Sequence, residues 1–165
     1  MSETQRRKEA KPEQRQEKKS YFAARARIVG EWDDGSGDET AEDACRQVIG
    51  AAIEVHRVLG PGLPEVLYEK ALGHELTLQQ VSHRRQAPVP VTYKGMVVGE
   101  GFMDLLVQDR LVVELKVVDD LHPLHLAQVR AYLSAARLRL GLLINFNVPI
   151  LRDGIRRVIN PHTSF

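Results

Sequence analysis

Residues 111–118 read LVVELKVV, six aliphatic residues of eight, with Glu114 and Lys116 set among them two positions apart. A run this apolar belongs in a buried strand. Side chains alternate across a strand, so Glu114 and Lys116 project from the same face. The preceding apolar run, residues 97–107 (VVGEGFMDLLV), carries a third charge, Asp104. If the two runs pair as a hairpin, the numbers of directly opposed residues have a constant sum. A two-residue turn at 109–110 makes that sum 219 and sends Asp104 to the face away from Glu114. A three-residue turn at 108–110 makes it 218 and sets Asp104 straight across from Glu114. The odd-length turn, or a bulge of equal effect, is expected if the three charges act together.

The flanking sequence supplies the rest of a sheet. Val89, Val91 and Tyr93 alternate with Pro90 and Thr92, and Pro88 and Pro90 suit an edge strand or a strand start. Lys94-Gly95 reads as a tight turn, and Gly99 or Gly101 as the place of a bulge. HPLHLAQVRAYLSAAR (122–137) has helical spacing, LRLGLLINF (138–146) is a buried strand, and GIRRVIN (154–160) is a short strand or helix. Upstream, Thr40 can cap a helix through Cys45, Val48, Ile49, Ala52, Ile53, His56 and Leu59, which Gly60-Pro61-Gly62 stops. His56 reads as an interior histidine of that helix. Pro64 starts a second helix that runs to about Gln79. The strand after the 122–137 helix then requires a crossover to a parallel partner. The expected fold class is α/β, a mixed sheet flanked by helices.

Two carboxylates held together in an apolar setting repel each other and lose hydration, so they need a proton or a cation. Oxygen donors on a rigid strand pair suit Mg²⁺ or Mn²⁺, which keep water in their other positions. The Leu115 carbonyl, between the two charged residues, could add a ligand. Lys116 could orient a water or stabilise an anionic oxygen. Such a set suits hydrolysis of a phosphodiester. Against this stands the plain alternative that cross-strand Glu/Lys pairs decorate the solvent faces of many sheets.

Composition agrees with a single globular domain of 165 residues, without an apolar run of membrane-spanning length. The N-terminus is charged throughout and has no secretory h-region. One cysteine, Cys45, excludes an internal disulfide and a multi-cysteine metal site, and a cytoplasmic location is expected. Residues 1–38 lack a hydrophobic period and read as a mobile charged tail, transiently helical around Tyr21 to Val29; residues 39–165 form the domain. From residue 44 onward there are 14 Lys/Arg against 11 Asp/Glu, a mildly basic balance of about +3 that permits a polyanionic partner.

GLPEVLY (62–68) is G-x-x-E-x-x-Y, followed by EKAL, preceded by HRVLGPG and joined at the far end by GLLINFNVPILRDGIRRVIN. With these motifs the chain resembles the GxxExxY protein family, which is similar to the RecB-like side of the PD-(D/E)XK nuclease superfamily. The resemblance covers roughly residues 44–160. It implies a restriction-endonuclease-like α-β-β-β-α-β core with an extra N-terminal helix, the order already reached from periodicity. It implies a metal-dependent nuclease acting on nucleic acid, DNA by expectation, with Mg²⁺ or Mn²⁺ as cofactor. Asp104 matches the motif aspartate, and Glu114-Leu115-Lys116 matches (D/E)-x-K. Glu65 matches the acid that the preceding helix gives to the metal site. Gln128 and Tyr132, in QVRAY, match the Q-x-x-x-Y that supports the site and contacts DNA. Metal ligation then falls to Glu65, Asp104, Glu114 and the Leu115 carbonyl. So short a chain, with no targeting domain in sight, also suggests a homodimer or a protein partner. The alternative from another class is a non-catalytic nucleic-acid-binding or regulatory partner that keeps the nuclease fold.

Overall fold

The computed structural model describes residues 39–161. The expected tail, including its helical stretch, lies outside the described residues. Helix α1 (Glu39–Leu59) and helix α2 (Glu65–Leu78) precede a three-stranded meander, β1 (His83–Tyr93), β2 (Met96–Val107) and β3 (Leu111–Lys116). Helix α3 (Pro123–Ala136) then crosses to β4 (Leu140–Asn145), and a four-residue helix, α4 (Leu151–Gly154), leads into β5 (Ile155–Ile159). The strands lie in the order β1-β2-β3-β4-β5, antiparallel throughout except for the parallel β3–β4 pair. This is the α/β architecture expected, with the crossover made by α3. No helix among the described residues is long and apolar enough to cross a membrane.

The turn that decides the register has three residues. Leu105 pairs with Val113, Leu106 with Val112 and Val107 with Leu111, so opposed numbers sum to 218. Gln108 and Asp109 take positive φ (+52° and +54°), and the Arg110 N–H donates to the Val107 carbonyl at 3.0 Å. Val112 clusters with Val129 and Leu133 of α3 and with Leu143 and Val158. The alternate set, Leu111, Val113 and Leu115, is also fully buried, and α1 and α2 pack against the sheet as well. Glu114 and Lys116 share their face with Val112, the α3 side.

Several boundaries differ from expectation. Helix α1 is already running at Glu39, so Thr40 is inside it, and Pro64 is the residue before α2 rather than its first turn. The bulge falls on Val98 and not on a glycine, because Val91 pairs with Gly99 while Thr92 pairs with Val97. β3 stops at Lys116, two residues early. Beyond it the buried Asn145 side chain replaces the ladder: its Oδ1 accepts from the Val118 N–H at 3.1 Å and its Nδ2 donates to the Val118 carbonyl at 2.8 Å. Gly154 is required beside it, since a Cβ there would collide with the Asn145 carbonyl. The short element at 154–160, strand or helix by sequence, is the strand β5, and the helical turn α4 precedes it. Pro88 and Pro90 lie in the edge strand β1, where their missing N–H groups cost no ladder bond.

Candidate active site

The G-x-x-E-x-x-Y motif acts as a clamp on the loop that launches α2. Gly60 and Gly62 take positive φ (+66° and +101°), open to glycine at no cost. Tyr68 is fully buried and stacks on Phe146 at 4.5 Å. Its hydroxyl donates to the Gly60 carbonyl at 2.6 Å and accepts the Leu63 N–H at 3.1 Å. The loop so pinned delivers Glu65 as the first residue of the helix. His56 supports the same region from α1, its Nε2 2.8 Å from the Val148 carbonyl, as an interior histidine does.

Asp104 occupies the point where β2 leaves its neighbours. The β2–β3 ladder ends at Leu105–Val113, one residue short of Asp104 and Glu114. On the other side β1 pairs Arg85 with Leu105 and Ala87 with Met103, leaving Gln86 and Asp104 unpaired between them. Gln86 has φ +48°. Across this break the strands roll over: Arg85 reaches Glu69 of α2, whereas Ala87 and Met103 pack with Val129 and Leu133 of α3. The Asp104 side chain fills the gap in the ladder, its Oδ2 accepting the Leu115 N–H at 2.8 Å. The N–H and C=O of one strand residue point the same way, so the Leu115 carbonyl also faces the side of Asp104.

Around this gap the charges converge. Lys116 Nζ donates to Glu114 Oε1 at 2.9 Å, and Glu114 Oε2 is buried with no hydrogen-bond partner. Burial, reinforced by the negative charge of Asp104 and opposed by Lys116, pushes the Glu114 carboxyl up to about 7. Burial also raises Asp104, against the Leu115 N–H and the Lys116 charge. Glu65 is raised by burial and by Asp104, while Lys116 and the Val117 N–H work the other way. Burial would lower Lys116, but its bond to Glu114 and the charges of Glu114, Glu65 and Asp104 raise it overall, so it is a firm ammonium. His125, at the start of α3, is close enough to Lys116 to feel its charge. Cys45 plays no such part: burial, helped by Glu42, pushes its thiol up to about 12.

The structure thus brings Asp104, Glu114, Lys116 and Glu65 to one place. Three carboxylates face one ammonium, and one buried carboxylate oxygen is orphaned. That donor set fits a hard divalent cation that binds a few carboxylates and keeps its remaining waters. As they stand, no three Asp, Glu, His or Cys side chains among the described residues close into a ready-made cage. Gln128 and Tyr132 lie farther out on α3. Gln128 Nε2 is 3.4 Å from the Tyr132 hydroxyl, and neither bonds to the four charged residues. The Tyr132 ring covers Gly101, where a Cβ would come within 2.7 Å of it.

Two residues of this neighbourhood were not legible as such. Glu69, one turn after Glu65, is 6% exposed and accepts from Arg85 Nε at 2.8 Å and Gln86 Nε2 at 2.9 Å. The same Gln86 nitrogen lies 3.3 Å from Asp104 Oδ1. The i,i+4 spacing of Glu65 and Glu69 was the available sign that both lie on one helix face. Arg84 and Arg85 are paired with Asp109 and Glu69.

Residues 42–158 match the family model of the PD-(D/E)XK nuclease superfamily. No curated protein and no solved structure matches the chain.

Proposed function

The chain belongs to the PD-(D/E)XK nuclease superfamily, and from that premise we propose that it is a Mg²⁺- or Mn²⁺-dependent nuclease that hydrolyses phosphodiester bonds in DNA. The observation that carries the reading is the gap in the sheet at Asp104. There the ladder bond to Leu115 passes to a carboxylate, beside a buried Glu114 oxygen without a partner and a lysine held charged.

Asp104, Glu114 and the Leu115 carbonyl would hold the metal, with Glu65 approaching from α2. A divalent ion held there would supply Lewis acidity for activating water and for offsetting charge on the phosphate. Lys116 does the rest of the electrostatic work. Held as an ammonium against Glu114, it serves as a hydrogen-bond donor to the phosphoryl oxygen that gains charge. Its backbone is immobilised on the β4 side, where the Phe146 N–H donates to the Lys116 carbonyl at 2.9 Å. Gln128 and Tyr132, bonded to each other on α3, would contact DNA outside the charged cluster.

The test is cleavage of single- and double-stranded DNA by the purified chain in Mg²⁺ or Mn²⁺, with EDTA as control. Metal-dependent cleavage lost in Asp104→Asn and Lys116→Ala supports the proposal. Salt-sensitive DNA binding without cleavage in either metal replaces it with the second reading, a binding partner that retains the fold. The absence of a ready-made three-ligand cage among the described residues is what keeps that reading in play.

A further inference from the structure

We propose that Gln86 is a positioning residue whose side-chain amide, locked by Glu69, fixes the rotamer of Asp104 and so sets the affinity of the site for its cation. This inference rests on the nuclease reading and adds residues to it.

Gln86 Nε2 is 2.9 Å from Glu69 Oε2 and 3.3 Å from Asp104 Oδ1. An amide nitrogen carries two hydrogens, one for each carboxylate. Both partners are acceptors only when ionised, so the amide can face them in one orientation, nitrogen first. Glu69 is fixed in turn by Arg85 Nε at 2.8 Å. The Arg85 stem lies over Gly73 of α2, where a Cβ would stand 2.7 Å from Arg85 Cδ. The chain of contacts therefore runs from α2 through Arg85, Glu69 and Gln86 to Asp104. Together with the Leu115 N–H at 2.8 Å it holds both oxygens of Asp104.

The backbone at Gln86 points the same way. A left-handed conformation inside a strand is costly for a non-glycine residue. Gln86 takes it at φ +48°, between the paired residues Arg85 and Ala87 and opposite Asp104. Glycine would remove the cost, yet the position carries a long amide that reaches into the acidic cluster. Strain of this kind persists where the surroundings over-determine it. Groups that orient metal ligands typically set affinity by about 10- to 100-fold.

The geometry separates the side chain from the backbone, and the experiment uses that separation. Mn²⁺ binding to the full chain is measured by titration calorimetry alongside the melting temperature, for the unmutated protein, Gln86→Gly, Glu69→Gln and Asp104→Ala. Gln86→Gly relieves the φ and removes the amide, so its melting temperature should hold or rise while Mn²⁺ affinity falls roughly 10-fold. Glu69→Gln, which still offers the amide an oxygen, should fall between the unmutated chain and Gln86→Gly. A folded Gln86→Gly that binds Mn²⁺ within twofold of the unmutated chain, while Asp104→Ala does not bind, overturns this proposal and leaves the nuclease reading standing. An unmutated chain that binds no Mn²⁺ overturns both.

Discussion

Replacing Glu114 by Gln should make the metal-free protein more stable in alkali than in acid, relative to the unmutated chain. In the fold the Glu114 carboxyl is pushed from an ordinary 4.5 to about 7, first by burial and then by Asp104. Between those two values the folded chain keeps a proton that the unfolded chain has lost. Glu114 therefore favours folding fully below pH 4.5, and this contribution is lost as the pH rises through about 7. One pKa unit is about 1.4 kcal/mol, so the loss amounts to about 3 kcal/mol over the whole window. Glutamine has the same shape and does not titrate. The stability difference between Glu114→Gln and the unmutated chain should thus move by about 2–3 kcal/mol in favour of glutamine between pH 5 and pH 8. Asp104, Glu65 and Lys116 are present in both proteins, so most of their titration cancels. Urea unfolding in EDTA at several pH values reads the difference directly. Adding millimolar Mg²⁺ at pH 8 should stabilise the unmutated chain and leave Glu114→Gln nearly unmoved. A difference constant to within about 0.5 kcal/mol from pH 5 to pH 8 would refute the argument that this carboxylate is forced into an apolar place.

Lys116→Ala should keep DNA affinity in Mg²⁺ within a fewfold and lower kcat about 10²- to 10³-fold, as single-turnover cleavage would show. Tyr68→Phe keeps the stack on Phe146 but strips the Gly60 carbonyl and Leu63 N–H of their partner; urea unfolding should show a loss of about 1–2 kcal/mol. Gly101→Ala brings a methyl against the Tyr132 ring and should cost about 1–3 kcal/mol in the same assay. Adding Tyr132→Ala should recover part of that loss, and a strictly additive pair would deny the contact.

The sheet was readable because its charges constrain it. An odd-length turn, or a bulge of equal effect, lets Asp104 meet Glu114, and the three residues Gln108, Asp109 and Arg110 supply the turn. Pro88 and Pro90 announced the edge, and Lys94-Gly95 the hairpin turn, which has φ of +47° and +84°. What stayed hidden was written in conformations that residue type does not disclose. Gln86 is left-handed without being glycine or asparagine, and Gln108 and Asp109 are left-handed with no glycine between them. The bulge chose Val98 although two glycines stood nearby. β3 ended early because Asn145, 27 residues after Val118, offered a side chain in place of a strand. Glu69 owes its place to Arg85 and Gln86, which come from the next element. Alternation placed Glu114 and Lys116 on one face, an odd turn brought Asp104 to them, and the family resemblance gave the set its reading as a site, whereas the residues that hold it in place required the three-dimensional meeting of α2 with β1.

The most direct test is anomalous scattering from a crystal of the chain grown or soaked with Mn²⁺. The account predicts one strong peak in the gap where β2 parts from β3, within ligand distance of Asp104 and Glu114 carboxylate oxygens and of the Leu115 carbonyl. Full occupancy of Mn²⁺ elsewhere, with Lys116 still bonded to Glu114 and no peak at Asp104, would contradict it.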